Sequence, residues 1–185
     1  MKEIILKISD FAVRLELDEE VMALPNNYRP FVAESAEDLG ELLSMKVGLD
    51  AVSKEGSEML SSFEDLGYRQ DVYKRQEGGY IFEIYSYDGY LAATMESSER
   101  FEHNKVCISG VERTTKEFGF NNTLMIAFAF SSAYHGTLMM HSSVAGTSAR
   151  GARRECTNTV TIKKLECLKQ VLLVRALAPA HCSME

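Results

Sequence analysis

Tyr80-Ile81-Phe82-Glu83-Ile84-Tyr85 is followed by Ser86-Tyr87-Asp88-Gly89 and then by Tyr90-Leu91-Ala92-Ala93-Thr94-Met95. The first block is dense in aromatic and β-branched residues, which fit a pleated, half-buried surface. Asp88-Gly89 is a two-residue hairpin signal, because both central positions of the favoured turn need positive φ. Tyr90 to Met95 reads as the returning strand. Outward from this hairpin, Gly67 to Gly110 reads as a meander, with Lys105 to Ser109 as a further strand and Val111 to Thr114 as a connector.

The N-terminus repeats the pattern. Lys2 to Ile8 and Phe11 to Leu17 both carry apolar β-formers around a Ser9-Asp10 turn. In the second run Phe11, Val13, Leu15 and Leu17 alternate with Ala12, Arg14 and Glu16, the period of a strand with one wet face. Asp18-Glu19-Glu20 reads as the acidic start of a short helix to about Leu24, stopped by Pro25. Asn26 to Pro30 is turn-like. Leu42 to Leu49 reads as a strand, and polar Ser53 to Asp65 as a linker or weak helix.

Asn121 to Tyr134 is the clearest helix. Leu124, Ala127, Phe128 and Ser131 recur at helical spacing, while Met125, Ile126, Ala129 and Phe130 make the other faces apolar. A helix apolar nearly all round is buried on several sides. Gly136 follows, where a left-handed cap favours glycine. Thr137 to Val144 then reads as a strand. The fold class is therefore α+β: a β-rich N-terminal part, one long buried helix, a following strand and a weakly ordered C-terminal tail.

Composition bounds the partners. The 185 residues are 45% hydrophobic and 25% charged, ordinary for a globular domain, and the net charge of -7 disfavours nucleic acid, whose phosphates need clustered Lys and Arg. The longest apolar run, Leu124 to Phe130, is far short of the ~20 residues that span a bilayer, so no membrane partner is expected. Cys107, Cys156, Cys167 and Cys182 form no C-x-x-C pair. Free thiols in a reducing cytoplasm are the expectation, and no metal site.

Composition breaks after Val144. Residues 145–185 contain no Asp, Phe or Tyr. They hold seven of the 20 Lys and Arg but only three of the 27 Asp and Glu. Such a shift marks either a basic tail for an acidic partner or a slipped reading frame. Gly146 and Gly151 have the spacing of a phosphate loop, but Ala152 and Arg153 stand where Lys and Ser or Thr are needed. Ile162 to Leu177 reads as a marginal helix. A second irregularity is Asp71-Val72-Tyr73-Lys74-Arg75-Gln76. It equals the translation of a transposon-end sequencing adaptor, a scar inside a metagenomic gene, and it equally reads as a natural strand leading into Glu77-Gly78-Gly79.

Phe118-Gly119-Phe120-Asn121-Asn122-Thr123-Leu124-Met125-Ile126-Ala127-Phe128-Ala129-Phe130, taken with Thr137-Leu138-Met139-Met140-His141-Ser142-Ser143-Val144, resembles a family of bacterial proteins related to HPr kinase and ATP-dependent phosphoenolpyruvate carboxykinase. Ile8-Ser9-Asp10-Phe11, Asn27-Tyr28-Arg29-Pro30-Phe31 and Gly78-Gly79-Tyr80 look like the N-terminal region of the same family. The resemblance covers residues 1–144. It implies an N-terminal accessory domain at 1–144 and an atypical basic tail at 145–185 that a frameshift would account for. In the family a G-K-S-G-T-G-K-S-T type loop opens a helix whose N–H groups and dipole hold the nucleotide phosphates. No Gly-Lys-Ser or Gly-Lys-Thr occurs in this sequence. The expectation is a truncated, inactive relative. Full-length members are expected to bind ATP and Mg and to transfer a phosphoryl group, whereas this chain is expected to bind no cofactor. His141 is the one residue matching the family near its active region, and it is the weak catalytic candidate. The alternatives are a non-catalytic module that binds a protein or peptide by adding a strand to a free β edge, and a mis-assembled reading frame without its own function.

The other candidates have plain structural readings. His103, between Glu102 and Asn104, reads as a solvated loop residue, and His135 as a cation at the helix C-terminus. Asp18-Glu19-Glu20 is not an acid–base pair, since adjacent helical residues do not face each other. Tyr80, Tyr85, Tyr87 and Tyr90 read as cross-strand packing, and Met125, Met139 and Met140 as core filler. Ser142 and Ser143 have no visible base.

Overall fold

In the computed structural model the described residues form nine strands in one mixed sheet, with one long helix on one face. The structure describes residues 1–37, 39–65 and 67–137; all but Thr137 of the expected strand at Thr137 to Val144, the tail at 145–185 and its expected weak order, and the marginal helix at Ile162 to Leu177 lie outside the described residues. Met1–Gly136 make one compact unit. The strands are β1 (Lys2–Ile8), β2 (Phe11–Leu17), β3 (Val32–Ala33), β4 (Gly40–Gly48), β5 (Ser57–Asp65), β6 (Tyr68–Arg75), β7 (Tyr80–Tyr85), β8 (Leu91–Ser97) and β9 (His103–Ile108), and the helix is α1 (Arg113–Tyr134). A 3-10 helix at Asn26–Phe31 precedes β3.

The sheet order is β3-β1-β2-β4-β9-β8-β7-β6-β5. β2 pairs with β4 and β4 with β9 in parallel, and every other pair is antiparallel. After β4 the chain leaves for the far edge of the sheet, and β5 to β9 return strand by strand until β9 lies beside β4. Residues 49–56 make that crossing and act as a strap. Cys107 Sγ lies 3.5 Å from the Leu49 carbonyl, Lys105 Nζ lies 3.5 Å from the Ala51 carbonyl, and Lys54 reaches Glu83 on β7.

The core lies between the sheet and α1. Leu15, Met45, Val106, Met95 and Phe82 are all but fully buried. Against them pack Phe120, Leu124, Ala127 and Phe130 of α1. Phe130 stacks on Phe101 at 4.4 Å between ring centroids, and Phe101 stacks on Tyr80 at 5.5 Å. Phe101 sits at φ 61. The left-handed region costs an L-residue roughly 1–2 kcal/mol, and burial of this ring offsets it at about 1.5–3 kcal/mol. Gly119 lets the helix approach the sheet: a Cβ there would stand 2.9 Å from both the Ala92 carbonyl oxygen and the Ala93 Cβ.

Four local expectations need correction or refinement. Asp18 to Leu24 is a turn. Asp18 O accepts from the amides of Val21 and Met22, and Asp18 Oδ1 accepts from Glu20 N. A short polar side chain that bonds the backbone two residues on competes with a helix start. Asn26 to Pro30, expected to be turn-like, is a 3-10 segment that runs on to Phe31. Ser57–Asp65 is a full nine-residue strand, although only Met59, Leu60 and Phe63 in it are apolar. Its partner β6 holds it through the ladder, and an edge strand needs no buried stripe. Finally, α1 begins at Arg113, within the expected connector and eight residues before Asn121. Its first turns, Arg113-Thr114-Thr115-Lys116-Glu117, lack apolar periodicity, so their helicity is set by continuity with the buried part. Asp71 to Arg75 lies in β6, as the natural-strand reading expects, with Val72 fully buried.

Candidate functional site

The outer edge of β5 is the longest open strand edge of the described residues. β5 ends the sheet, pairing with β6 alone, whereas at the opposite edge the two-residue β3 pairs with β1 only at Ile5 and Leu6. Backbone N–H and C=O groups along such an edge remain available for pairing. Met59 and Leu60 are about half exposed there. The β5–β6 register shifts between Met59 and Ser61, so the ladder is irregular at the strand's middle. Glu58 and Glu64 are exposed near its two ends.

Inward from this edge, on the face away from α1, lies a buried charged network. Asp71 and Glu83 stand directly opposite each other on β6 and β7, and both are at most 6% exposed. Like charges in that position destabilise a sheet unless each is compensated. Asp71 accepts from Ser62 Oγ at 2.6 Å and meets Arg69 at 3.3 Å. Glu83 meets Lys54 at 2.9 Å and accepts from the Tyr73 hydroxyl at 3.0 Å and the Tyr85 hydroxyl at 3.1 Å. Burial pushes the Glu83 carboxyl up, but Lys54 and the two tyrosines together outweigh it and hold the group below its ordinary value. The Arg69 guanidinium lies over the Tyr85 ring at 3.8 Å, and Lys54 Nζ over Tyr73 at 4.9 Å. The strap covers Glu83 and the tyrosines saturate it, so these carboxylates act as fixed charges that hold β5, β6, β7 and the strap together.

Two adjoining grooves flank Arg29. One, of about 670 Å³, runs along the outer side of β1 by Ile4, Leu24 and Val32. The other, of about 510 Å³, lies by Met22, Val111 and the first turns of α1. Lys116 in the second donates to the Val21 carbonyl at 2.7 Å, and Arg113 pairs with Glu117. No group of three or more His, Cys, Asp or Glu able to hold a metal occurs among the described residues, and no helix among them is long and apolar enough to cross a membrane.

His141, Ser142, Ser143, Gly146 and Gly151 lie outside the described residues, as do Met139, Met140 and three of the cysteines. Cys107 is a half-buried free thiol. His103 is exposed at the start of β9, with Nδ1 3.0 Å from Ser44 Oγ. His135 is the C-cap of α1, its backbone N–H directed at the Ser132 carbonyl and its ring 5.9 Å from Phe11. Glu19 pairs with Lys2 at 3.1 Å on the surface. Two of the tyrosines expected to pair across strands do so, Tyr80 under Lys74 and Tyr85 under Arg69, each its direct partner on β6. Tyr80 also stacks on Phe101, Tyr87 meets Phe118, and Tyr90 is 72% exposed. The sequence reading missed β5 and the Lys54–Glu83 contact. The one signal for β5 was the Met59, Leu60 and Phe63 trio, which a polar setting concealed.

Against protein-family models, curated proteins and solved structures, the chain finds no match.

Proposed function

We propose that residues 2–136 form a non-catalytic recognition module, the accessory domain of a protein of the HPr kinase and carboxykinase group, which binds an extended segment of a protein partner by strand addition along β5. The observation that carries this reading is the nine-residue terminal strand, paired on one side among the described residues and bearing half-exposed Met59 and Leu60. Main-chain bonds supply affinity in this mode, and alternate side chains supply selectivity. A second copy is a poor occupant. Antiparallel pairing of β5 with itself over its full length brings Glu58 against Glu64 and Ser57 against Asp65, and like charges directly opposite are destabilising by roughly 0.2–1 kcal/mol per pair.

Hydrogen exchange on the whole 185-residue chain tests the reading. The probe is a nonapeptide of alternating Val and Thr on a soluble Gly-Ser leader. Slowed exchange of β5 amides on adding the peptide is the expected result. Unchanged exchange at β5, or protection confined to another element, refutes it. The non-catalytic part is tested by titrating ATP·Mg in a calorimeter. The absence of Gly-Lys-Ser and Gly-Lys-Thr leads us to expect no saturable heat to millimolar nucleotide. A clear isotherm would overturn it.

A further inference from the structure

We infer that the segment accepted along β5 is basic, with Lys or Arg facing Glu58 and Glu64 and apolar residues facing Met59 and Leu60. This rests on the strand-addition reading. β5 carries Glu58, Glu64 and Asp65 and no Lys or Arg. Its neighbour β6 places Lys74 opposite Glu58 and Arg69 opposite Glu64, but both cations have partners on the inner side. Lys74 is held by Glu99 at 2.7 Å and lies over the Tyr80 ring at 4.2 Å. Arg69 is held chiefly by Tyr85, whose ring it lies over, and by Asp71 at 3.3 Å, with Glu64 as a weaker attraction. The outer edge is therefore negative at both ends and apolar at its centre. A strand with the complementary pattern gains an opposite-charge pair at each end, and long-range attraction also speeds its encounter with the edge. The same charges repel a second copy and any nucleic acid, so one arrangement selects the partner and suppresses edge-to-edge aggregation.

Fluorescence anisotropy on the full chain tests this with three labelled nonapeptides: one of Val and Thr with Lys at its second and eighth positions (the Lys–Val peptide), the same peptide with Glu at those two positions (the Glu–Val peptide), and the Lys–Val peptide with alternate backbone nitrogens methylated. The Lys–Val peptide is expected to bind about tenfold or more tightly than Glu–Val, and the E58K/E64K variant to reverse that order. The methylated peptide is expected to lose binding, since it cannot complete the ladder. Equal binding of the Lys–Val and Glu–Val peptides, both lost on methylation, would overturn the basic preference and leave strand addition standing. A preference for Lys–Val unchanged in E58K/E64K would overturn the assignment to these two residues. Equal binding of methylated and unmethylated Lys–Val would overturn strand addition itself.

Discussion

Replacing Lys54 by Met keeps the length of the side chain and removes its ammonium from a nearly buried carboxylate. Glu83 has a side chain only 8% exposed and would retain the Tyr73 and Tyr85 hydroxyls as donors but lose its one cation at 2.9 Å. Breaking a buried pair by removing one partner costs about 3–5 kcal/mol. Lys54 itself is 44% exposed, so water already screens much of the attraction, and the expected loss falls to about 1–2 kcal/mol. For a unit of this size that is a fall in Tm of about 5 °C at neutral pH. The pH dependence has a definite sign. In the native protein the folded Glu83 carboxyl lies below its ordinary value. Its contribution is therefore present above the unfolded value of about 4.3 and is lost as pH falls through the depressed folded value. Without Lys54 both of its lowering causes are gone, so the folded carboxyl titrates higher than in the native protein and less of that contribution remains at neutral pH. The gap between the two proteins should widen from pH 3 to pH 7. Thermal melts of native chain, K54M, E83Q and the double variant across that range form the assay. A constant gap, or a double-mutant cycle with no coupling between Lys54 and Glu83, would refute the compensation argument.

Other outcomes follow from the packing. Gly119→Ala adds a methyl 2.9 Å from the Ala92 carbonyl oxygen and the Ala93 Cβ. Overpacking at about 1–3 kcal/mol should outweigh the gain in helix propensity of roughly 1 kcal/mol, and denaturant midpoints that rise would contradict it. Tyr28 is pushed up to about 12 by burial, partly opposed by a hydrogen bond with Asn27, and its ring lies edge-on to Phe120 at 5.5 Å. Its contribution is complete below the ordinary value of about 10 and disappears as pH climbs through the folded value. Tyr28→Phe should remove the latest phenolate step in an ultraviolet titration, and an unchanged last step would count against this burial. Leu60→Lys, at an exposed position on the edge, should shift stability by less than about 0.5 kcal/mol and weaken capture of the Lys–Val peptide; a large loss of stability would mean that the β5 edge is not open.

How much was legible in the sequence depended on whether local chemistry and long-range packing agreed. The β1–β2 hairpin, the β7–β8 hairpin around Asp88-Gly89 and the buried part of α1 were legible, because alternation, turn residues and all-round apolarity act over a few residues. β5 was not. Its polar composition hides the weak signal of Met59, Leu60 and Phe63, and the ladder offered by β6 fixes it. The same holds for the first turns of α1 and for the Asp18 turn, where capping competition among neighbouring groups decides the outcome. The charged network was also hidden. Asp71 and Glu83 are 12 residues apart in sequence and meet only through the β6–β7 register, and Lys54 reaches Glu83 because the chain must cross the sheet to start β5.

The sequence by itself determined that the chain is β-rich with one buried helix, that its charge is acidic, and that no Gly-Lys-Ser or Gly-Lys-Thr occurs in it. Those are properties of residue type and short spacing. Strand order, the two parallel junctions, the strap over Glu83 and the open edge at β5 were decided only in the tertiary structure. They follow from which distant segments share a ladder, a choice set by the summed burial of the whole sheet rather than by any local run.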